Sequence, residues 1–207
     1  MPPQPESLKG VETSVGGCAA TLDYDTELMI QVREGHEASF GLLLEKHRSS
    51  VVHFLYRMVE NQAVAEELAQ EVFLRVYRSR STYEPTAKFT TWLFRIATHL
   101  ALNSLRDGKH ERRQESLDNA SDEAPSRQVS DSRPSAEALM VREAKMEEVR
   151  RAVAALPEKQ RAAVLMHKYQ EMDYAQIAKA LHTSESAVKS LLFRAYETLR
   201  ARLAHMG

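Results

Sequence analysis

Apolar side chains recur along this chain at three- and four-residue spacings, and no segment alternates with the period of two that marks a strand. Each periodic stretch therefore predicts a helix. A first helix is expected over Thr26–Glu34, closed by Gly35, a residue suited to the turn beyond a helix. His36–Val59 follows, with Phe40, Leu43, Leu44, Val51, Phe54, Leu55 and Met58 on one stripe. Ala63–Ser79 carries Leu68, Val72, Phe73 and Val76. A loop through Ser81-Thr82-Tyr83-Glu84-Pro85 then leads into Phe89–Arg106, where Phe89, Trp92, Leu93, Ile96, Leu100 and Leu105 repeat before Gly108 closes the helix.

The C-terminal third is more finely punctuated. Glu143–Leu156 runs into Pro157, which suits the first turn of the next helix, Glu158–Tyr169. Asp173-Tyr174-Ala175-Gln176 has the form of a capping box, in which Asp173 accepts from the Gln176 N–H and Gln176 reaches back. It starts a short helix, Tyr174–Leu181. After the polar turn His182-Thr183-Ser184, Ser184 can cap a longer helix from Glu185 to about Leu203. Ile177, Ala178, Leu181 and Val188 fall where the two helices would pack, so this pair predicts a helix-turn-helix.

Aromatic residues divide the pattern into two cores. Ten of the fourteen lie between Tyr24 and Phe94, four lie between Tyr169 and Tyr196, and none falls between these groups. The intervening stretch, about 107–138, is rich in Ser, Asp, Glu and Arg and offers little apolar area to offset ordering entropy, so a flexible linker is expected over 114–138. Residues 1–22, with three prolines and Gly16-Gly17, read as a disordered tail. The expected fold class is thus all-α: two small helical domains, 23–113 and 139–207, joined by that linker.

Composition adds three constraints. Basic and acidic residues nearly balance, 28 against 29, but Asp23–Glu71 holds 10 acids and 4 bases whereas Val72–Arg113 holds 3 acids and 9 bases. This asymmetry leaves room for a polyanionic partner. A single cysteine, Cys18, allows no intrachain disulfide and no Cys-rich zinc site, which suits a reducing compartment. No apolar run approaches the roughly 18 residues of a membrane span, and Met1-Pro2-Pro3-Gln4-Pro5 lacks the features of a signal peptide, so a cytoplasmic protein without membrane contact is expected.

Candidate chemistry concentrates on three faces. On the last helix Lys189, Ser190, Arg194, Arg200 and Arg202 stand against one acid in the same span, Glu197, while Ser184 and Ser186 place hydroxyls at its positive N-terminal end. That end can take a phosphate, and Lys189 or Arg194 can reach guanine or the DNA backbone. Around the other basic segment, Tyr83, Phe89, Trp92 and Phe94 alternate with Lys88, Arg95 and Arg106, a mixture that can stack unpaired bases, although periodicity puts most of these rings in the core. Arg95, Thr98, His99, Leu102, Asn103 and Arg106 can share another face, where the Asn103 amide could read a base edge. Glu66, Glu67, Gln70 and Glu71 read as a solvated acidic face or a contact for a basic protein surface. No Glu-x-x-His, no Gly-x-Ser-x-Gly and no Ser/His/Asp cluster occurs, so neither enzyme chemistry nor a metal or other cofactor is expected.

The segment Ala65–Arg78 (AEELAQEVFLRVYR) resembles region 2.2 of bacterial sigma factors, and Phe89–Ala97 (FTTWLFRIA) resembles the start of their region 2.3–2.4 helix. Leu156–Arg161 (LPEKQR), Tyr174–Ala178 (YAQIA) and Ser186–Ala195 (SAVKSLLFRA) are similar to region 4. Both halves, their order and the linker match the extracytoplasmic-function (ECF) group. The resemblance implies a factor that binds core RNA polymerase, recognises promoter DNA and helps open the duplex, commonly under an anti-sigma factor. It implies docking on the polymerase clamp through Glu67, Gln70, Glu71 and Phe73. It implies that Tyr83, Lys88, Arg95, His99, Asn103 and Arg106 lie along the single-stranded −10 element. It implies reading of the −35 duplex through Ser184, Ser186, Lys189, Ser190, Phe193 and Arg194. The competing reading of the same helices is a stand-alone helix-turn-helix regulator, but no long heptad pattern supplies the symmetric dimer seam it needs.

Overall fold

The computed structural model describes residues 23–115 and 136–206. The tail expected over 1–22 and most of the linker expected over 114–138 lie outside the described residues. Eight α-helices and two short 3₁₀ turns make up what is described, and no strand occurs among these residues.

The first four helices form one bundle: α1 (Tyr24–Arg33), α2 (Glu37–Val59), α3 (Gln62–Arg78) and α4 (Phe89–Glu115). Asp23 caps α1 by accepting from the Thr26 N–H at 3.1 Å, and Gly35, at φ +101°, takes the left-handed turn that lets α2 fold back. Asn61 caps α3 through Val64 N–H. The preceding Glu60 ends α2 in a left-handed conformation, φ 59°, which a glycine would adopt without strain. Val51, Phe54, Leu55, Met58, Val72, Val76, Phe89 and Leu93 are all buried, and Phe54 meets Phe94 edge to face with ring centroids 5.2 Å apart. One expectation fails here. Gly108 does not close α4, which continues to Glu115 because helical backbone tolerates a glycine at a cost of only about 1 kcal/mol.

A buried polar cluster ties the first helix down. The Asp25 carboxylate receives Lys46 Nζ at 2.5 Å and faces His47 Nε2 at 2.9 Å, while Thr26 Oγ1 accepts from the Phe89 N–H at 3.2 Å. Burial pushes the His47 pKa below the ordinary histidine value, against the opposing pull of Asp25. The unfolded chain therefore takes up this proton first. The stability contributed by neutral His47 is full above about pH 6.5 and is lost as pH falls towards the lower folded pKa. A lower urea midpoint is expected at about pH 5.5 than at about pH 7.5, with a flatter profile for His47→Gln.

The remaining helices are α5 (Ala136–Ala154), α6 (Glu158–Tyr169), α7 (Tyr174–Leu181) and α8 (Glu185–Arg202). The capping box is formed as the residues predict: Gln176 N–H donates to Asp173 Oδ1 at 2.8 Å, and Asp173 N–H donates to Gln176 Oε1 at 2.9 Å. Ser184 caps α8 through Ala187 N–H at 3.2 Å, and Ile177, Ala178 and Val188 are buried where α7 and α8 pack. Between α7 and α8, His182 takes a left-handed conformation, φ 48°.

The two helical groups also touch each other. α7 lies along α4, and α6 meets the C-terminal end of α2. Thr98 Oγ1 on α4 is 4.0 Å from Met166 Sδ on α6, and the Arg57 guanidinium sits 3.9 Å from the centre of the Tyr169 ring. Arg161 joins the two groups: its Nη1 donates to the Met58 carbonyl at 2.5 Å and to Glu60 Oε1 at 3.2 Å, and its Nη2 donates to the Ala154 carbonyl.

Candidate nucleic-acid and protein-docking faces

Helix α4 buries two sides. Phe89, Leu93, Ala97 and Leu100 occupy one, and Phe94, Thr98 and Ala101 occupy another. Between them, at spacings of four, four and three residues, stand Arg95, His99, Asn103 and Arg106, with His99 and Arg106 exposed and the other two half-buried. They form a ladder. Asn103 Nδ2 lies 3.3 Å from His99 Nδ1, and Arg106 Nη2 donates to Asn103 Oδ1 at 3.2 Å. A rigid row of cationic and amide donors of this kind can hold phosphates and read the edges of unpaired bases. Lys88 is exposed at the start of the same helix, where its carbonyl accepts from the Thr91 and Trp92 N–H groups.

Tyr83 does not belong to that exposed set. Its residue is only 3% exposed, and its ring packs on Trp92 with centroids 4.9 Å apart; burial raises its pKa above the ordinary tyrosine value. The loop is pinned at this point, since the Tyr83 carbonyl accepts from Arg33 Nη1 at 3.2 Å. A base cannot stack on a ring already covered on this side by the core, so the stacking role expected of Tyr83 is corrected to that of a loop anchor.

On α3, Glu67, Gln70 and Glu71 stand together on the outer face. Glu71 Oε1 accepts from Arg75 Nε at 2.6 Å across one turn, so part of its charge is already engaged. Phe73 points elsewhere. At 6% exposure it belongs to the core, and the docking contact expected of it is corrected to a packing role. The apolar member of this face is instead Leu74, which is 48% exposed. It was findable from the sequence, because Leu74 follows Glu67 by seven residues and Gln70 by four and so shares their face.

On α8, Ser184, Ser186, Lys189, Ser190, Phe193 and Arg194 are all exposed, with Phe193 at 67%. The Ser184 and Ser186 hydroxyls are 3.0 Å apart, and Ser190 Oγ donates to the Ser186 carbonyl at 3.0 Å. Lys189 and Arg194 are left facing outward with an uncovered aromatic between them in sequence. That combination suits phosphate and guanine contacts beside the thymine methyl group.

A bundle with an exposed basic ladder, followed by a helix-turn-helix whose second helix presents an open polar and basic face, defines a two-domain DNA-binding protein. Residues 43–111 match the family Sigma-70 region 2, and residues 146–199 match Sigma-70, region 4. The chain is 33% identical over 178 residues to RNA polymerase sigma factor CarQ of Myxococcus xanthus, covering 86% of this chain and 97% of that protein. It is 30% identical over 167 residues to ECF RNA polymerase sigma factor SigX of Bacillus subtilis, covering 81% and 84%. The solved structure of the sigma factor RpoE with the anti-sigma factor NepR from Bartonella quintana shares its fold, with a TM-score of 0.64 at 18% identity over 80% of this chain and 96% of that one. The chain belongs to the ECF group of RNA polymerase sigma factors and is a promoter-recognising initiation factor.

Proposed function

We propose that this sigma factor acts in the cytoplasm, has no catalytic activity of its own, and divides its work between residues 23–113 and 139–207. The first unit docks on core polymerase through Glu67, Gln70, Glu71 and Leu74 and holds the −10 non-template strand along Lys88, Arg95, His99, Asn103 and Arg106. The second reads the −35 duplex through Ser184, Ser186, Lys189, Ser190, Phe193 and Arg194. An anti-sigma factor is the further partner, a reading supported by a protein of the same fold whose solved structure contains one.

The observation that carries the strand-opening role is the His99–Asn103–Arg106 ladder, held outward by a helix whose other two sides are locked in packing. Asn103→Ala is expected to leave holoenzyme assembly unchanged while reducing open complex. A template with a pre-melted −10 bubble is expected to restore most of the loss by removing the unpairing cost of a few kcal/mol. Permanganate reactivity of unpaired thymines beside a core-binding assay reads the two steps separately. Normal melting by Asn103→Ala overturns the proposed role of the ladder.

A further inference from the structure

The hydrogen bonds along the α4 row have a direction, and it fixes which atoms the row turns outward. An arginine guanidinium can only donate, so the Asn103 atom that meets Arg106 Nη2 at 3.2 Å is the carbonyl oxygen Oδ1. The other end of the same amide, Nδ2, is a donor and lies 3.3 Å from His99 Nδ1, so that ring nitrogen accepts. An imidazole that accepts at Nδ1 carries its proton on Nε2. Arg106 therefore sets the Asn103 amide, and the amide sets the His99 tautomer. His99 is exposed, so its Nε2–H is open to a ligand. Beside it the row offers the Arg95 guanidinium, the second N–H of the Asn103 amide and the remaining N–H groups of Arg106, all of them donors. The one side-chain acceptor among the four, Asn103 Oδ1, is turned along the helix onto Arg106. The nearest carboxylate along α4, Asp107, faces Arg106 Nε at 3.7 Å. It lies two turns, about 12 Å, beyond His99.

We infer that this row of donors makes His99 a specificity-determining residue, which accepts a keto base, thymine or guanine, in the −10 non-template strand and rejects adenine and cytosine at that position. On the base edge that faces the major groove in duplex DNA, thymine O4 and guanine O6 accept, whereas the adenine N6 and cytosine N4 amino groups only donate. Both purines have an accepting N7, so discrimination falls on the exocyclic group. Against His99 Nε2–H a keto oxygen completes a hydrogen bond. An amino group instead sets N–H against N–H, and both donors lose water without gaining a partner. The row does not adapt to the wrong base at small cost. Turning the imidazole takes Nδ1 off the Asn103 amide, and turning the amide sets its NH2 group against the Arg106 guanidinium. Arg106 thus acts on the base through Asn103 and His99, as a positioning residue for the His99 proton, besides any phosphate it holds.

Base choice at His99 rests on the −10 reading of α4 and deepens it, and one binding experiment separates the two. Holoenzyme is bound to a pool of forked DNAs, duplex upstream and single-stranded over a randomised −10 non-template segment, and the bound molecules are sequenced. At one randomised position thymine and guanine are expected to be retained over adenine and cytosine by about tenfold, the discrimination of one good base-edge contact. His99→Ala removes the donor and is expected to bring that ratio below about twofold at the same position. Arg106→Ala, which frees the Asn103 amide to turn, is expected to lower the ratio partway; loss of a phosphate contact alone weakens all sequences alike and leaves the ratio intact. Defined forks carrying thymine or 5-methylcytosine at that position, which share the methyl group and exchange O4 for an amino group, give the same ratio as an affinity measurement. A preference for adenine or cytosine at the position that His99→Ala changes, or a keto preference that survives His99→Ala or is untouched by Arg106→Ala, overturns the inference while the −10 reading stands. Retention with no base preference anywhere in the single-stranded segment overturns the −10 reading, and base choice by His99 falls with it.

Discussion

Glu71→Lys is expected to abolish assembly with core RNA polymerase while leaving the protein folded. Glu67, Gln70 and Leu74, all exposed, and the half-buried Glu71 form one outer stripe on α3, acidic around a single uncovered leucine, which is the pattern of a small hot spot with a polar rim. Against a basic partner surface, a lysine at the centre of that rim sets like charges together at a cost of several kcal/mol, on the order of a hundredfold or more in affinity. Within the free protein the change is mild. Glu71 contributes to an exposed one-turn pair with Arg75, and losing such a pair removes roughly 0.5 kcal/mol. The expected result is therefore a near-normal thermal midpoint beside a lost holoenzyme peak in size-exclusion chromatography with core enzyme. Glu71→Gln, which removes charge without reversing it, is expected to fall between. Normal assembly by Glu71→Lys places the docking surface elsewhere.

Most of the helices were legible because their signals are local. The capping box at Asp173–Gln176 and the Ser184 cap fix the ends of α7 and α8 by chemistry within four residues, and both elements start where the residues say. Gly108 misled for the same reason: a glycine signals a stop only when the chain beyond it turns, and here the helix runs on to Glu115. The helical start of α5 at Ala136, earlier than the expected Glu143, likewise lies in a stretch whose apolar spacing is too weak to mark a boundary.

Sidedness was only half legible. Arg95, His99, Asn103 and Arg106 could be grouped by spacing alone, since a helix fixes their common face. Phe73 was also placed by spacing, on the apolar stripe with Leu68, Val72 and Val76, and its burial follows that periodicity rather than the docking role the resemblance implies. Tyr83 could not be placed that way. Tyr83 lies in a loop, where no periodicity constrains the side chain, and its burial follows from Trp92 reaching back from α4 and from Arg33 holding its carbonyl. Arg161 was invisible for a stronger reason: its partners at Met58 and Glu60 lie about a hundred residues away, at the end of another helix, and no sequence pattern pairs a guanidinium with a carbonyl and a carboxylate at that separation.

Tyr83→Ala is expected to unfold the first domain rather than merely weaken promoter melting. The ring is buried against Trp92, which in turn packs on Phe89, so truncation leaves a cavity at the junction of α1, the loop and the start of α4. Replacing a buried aromatic by alanine costs about 3–5 kcal/mol, a large share of the stability of a domain this size. For a domain near 100 residues each kcal/mol lowers the midpoint by roughly 4–8 °C, so a fall of more than about 12 °C is expected. Tyr83→Phe keeps the ring and its packing and is expected to shift the midpoint little. The base-stacking role makes the opposite forecast, because an exposed platform can be cut back without loss of stability, and its loss appears only in permanganate reactivity at the −10 element. Calorimetry on both variants beside melting of a pre-opened template therefore decides between them. A stable Tyr83→Ala protein that assembles normally and fails only on the closed duplex would return Tyr83 to the DNA-binding surface and show that the loop opens away from Trp92 when promoter is bound.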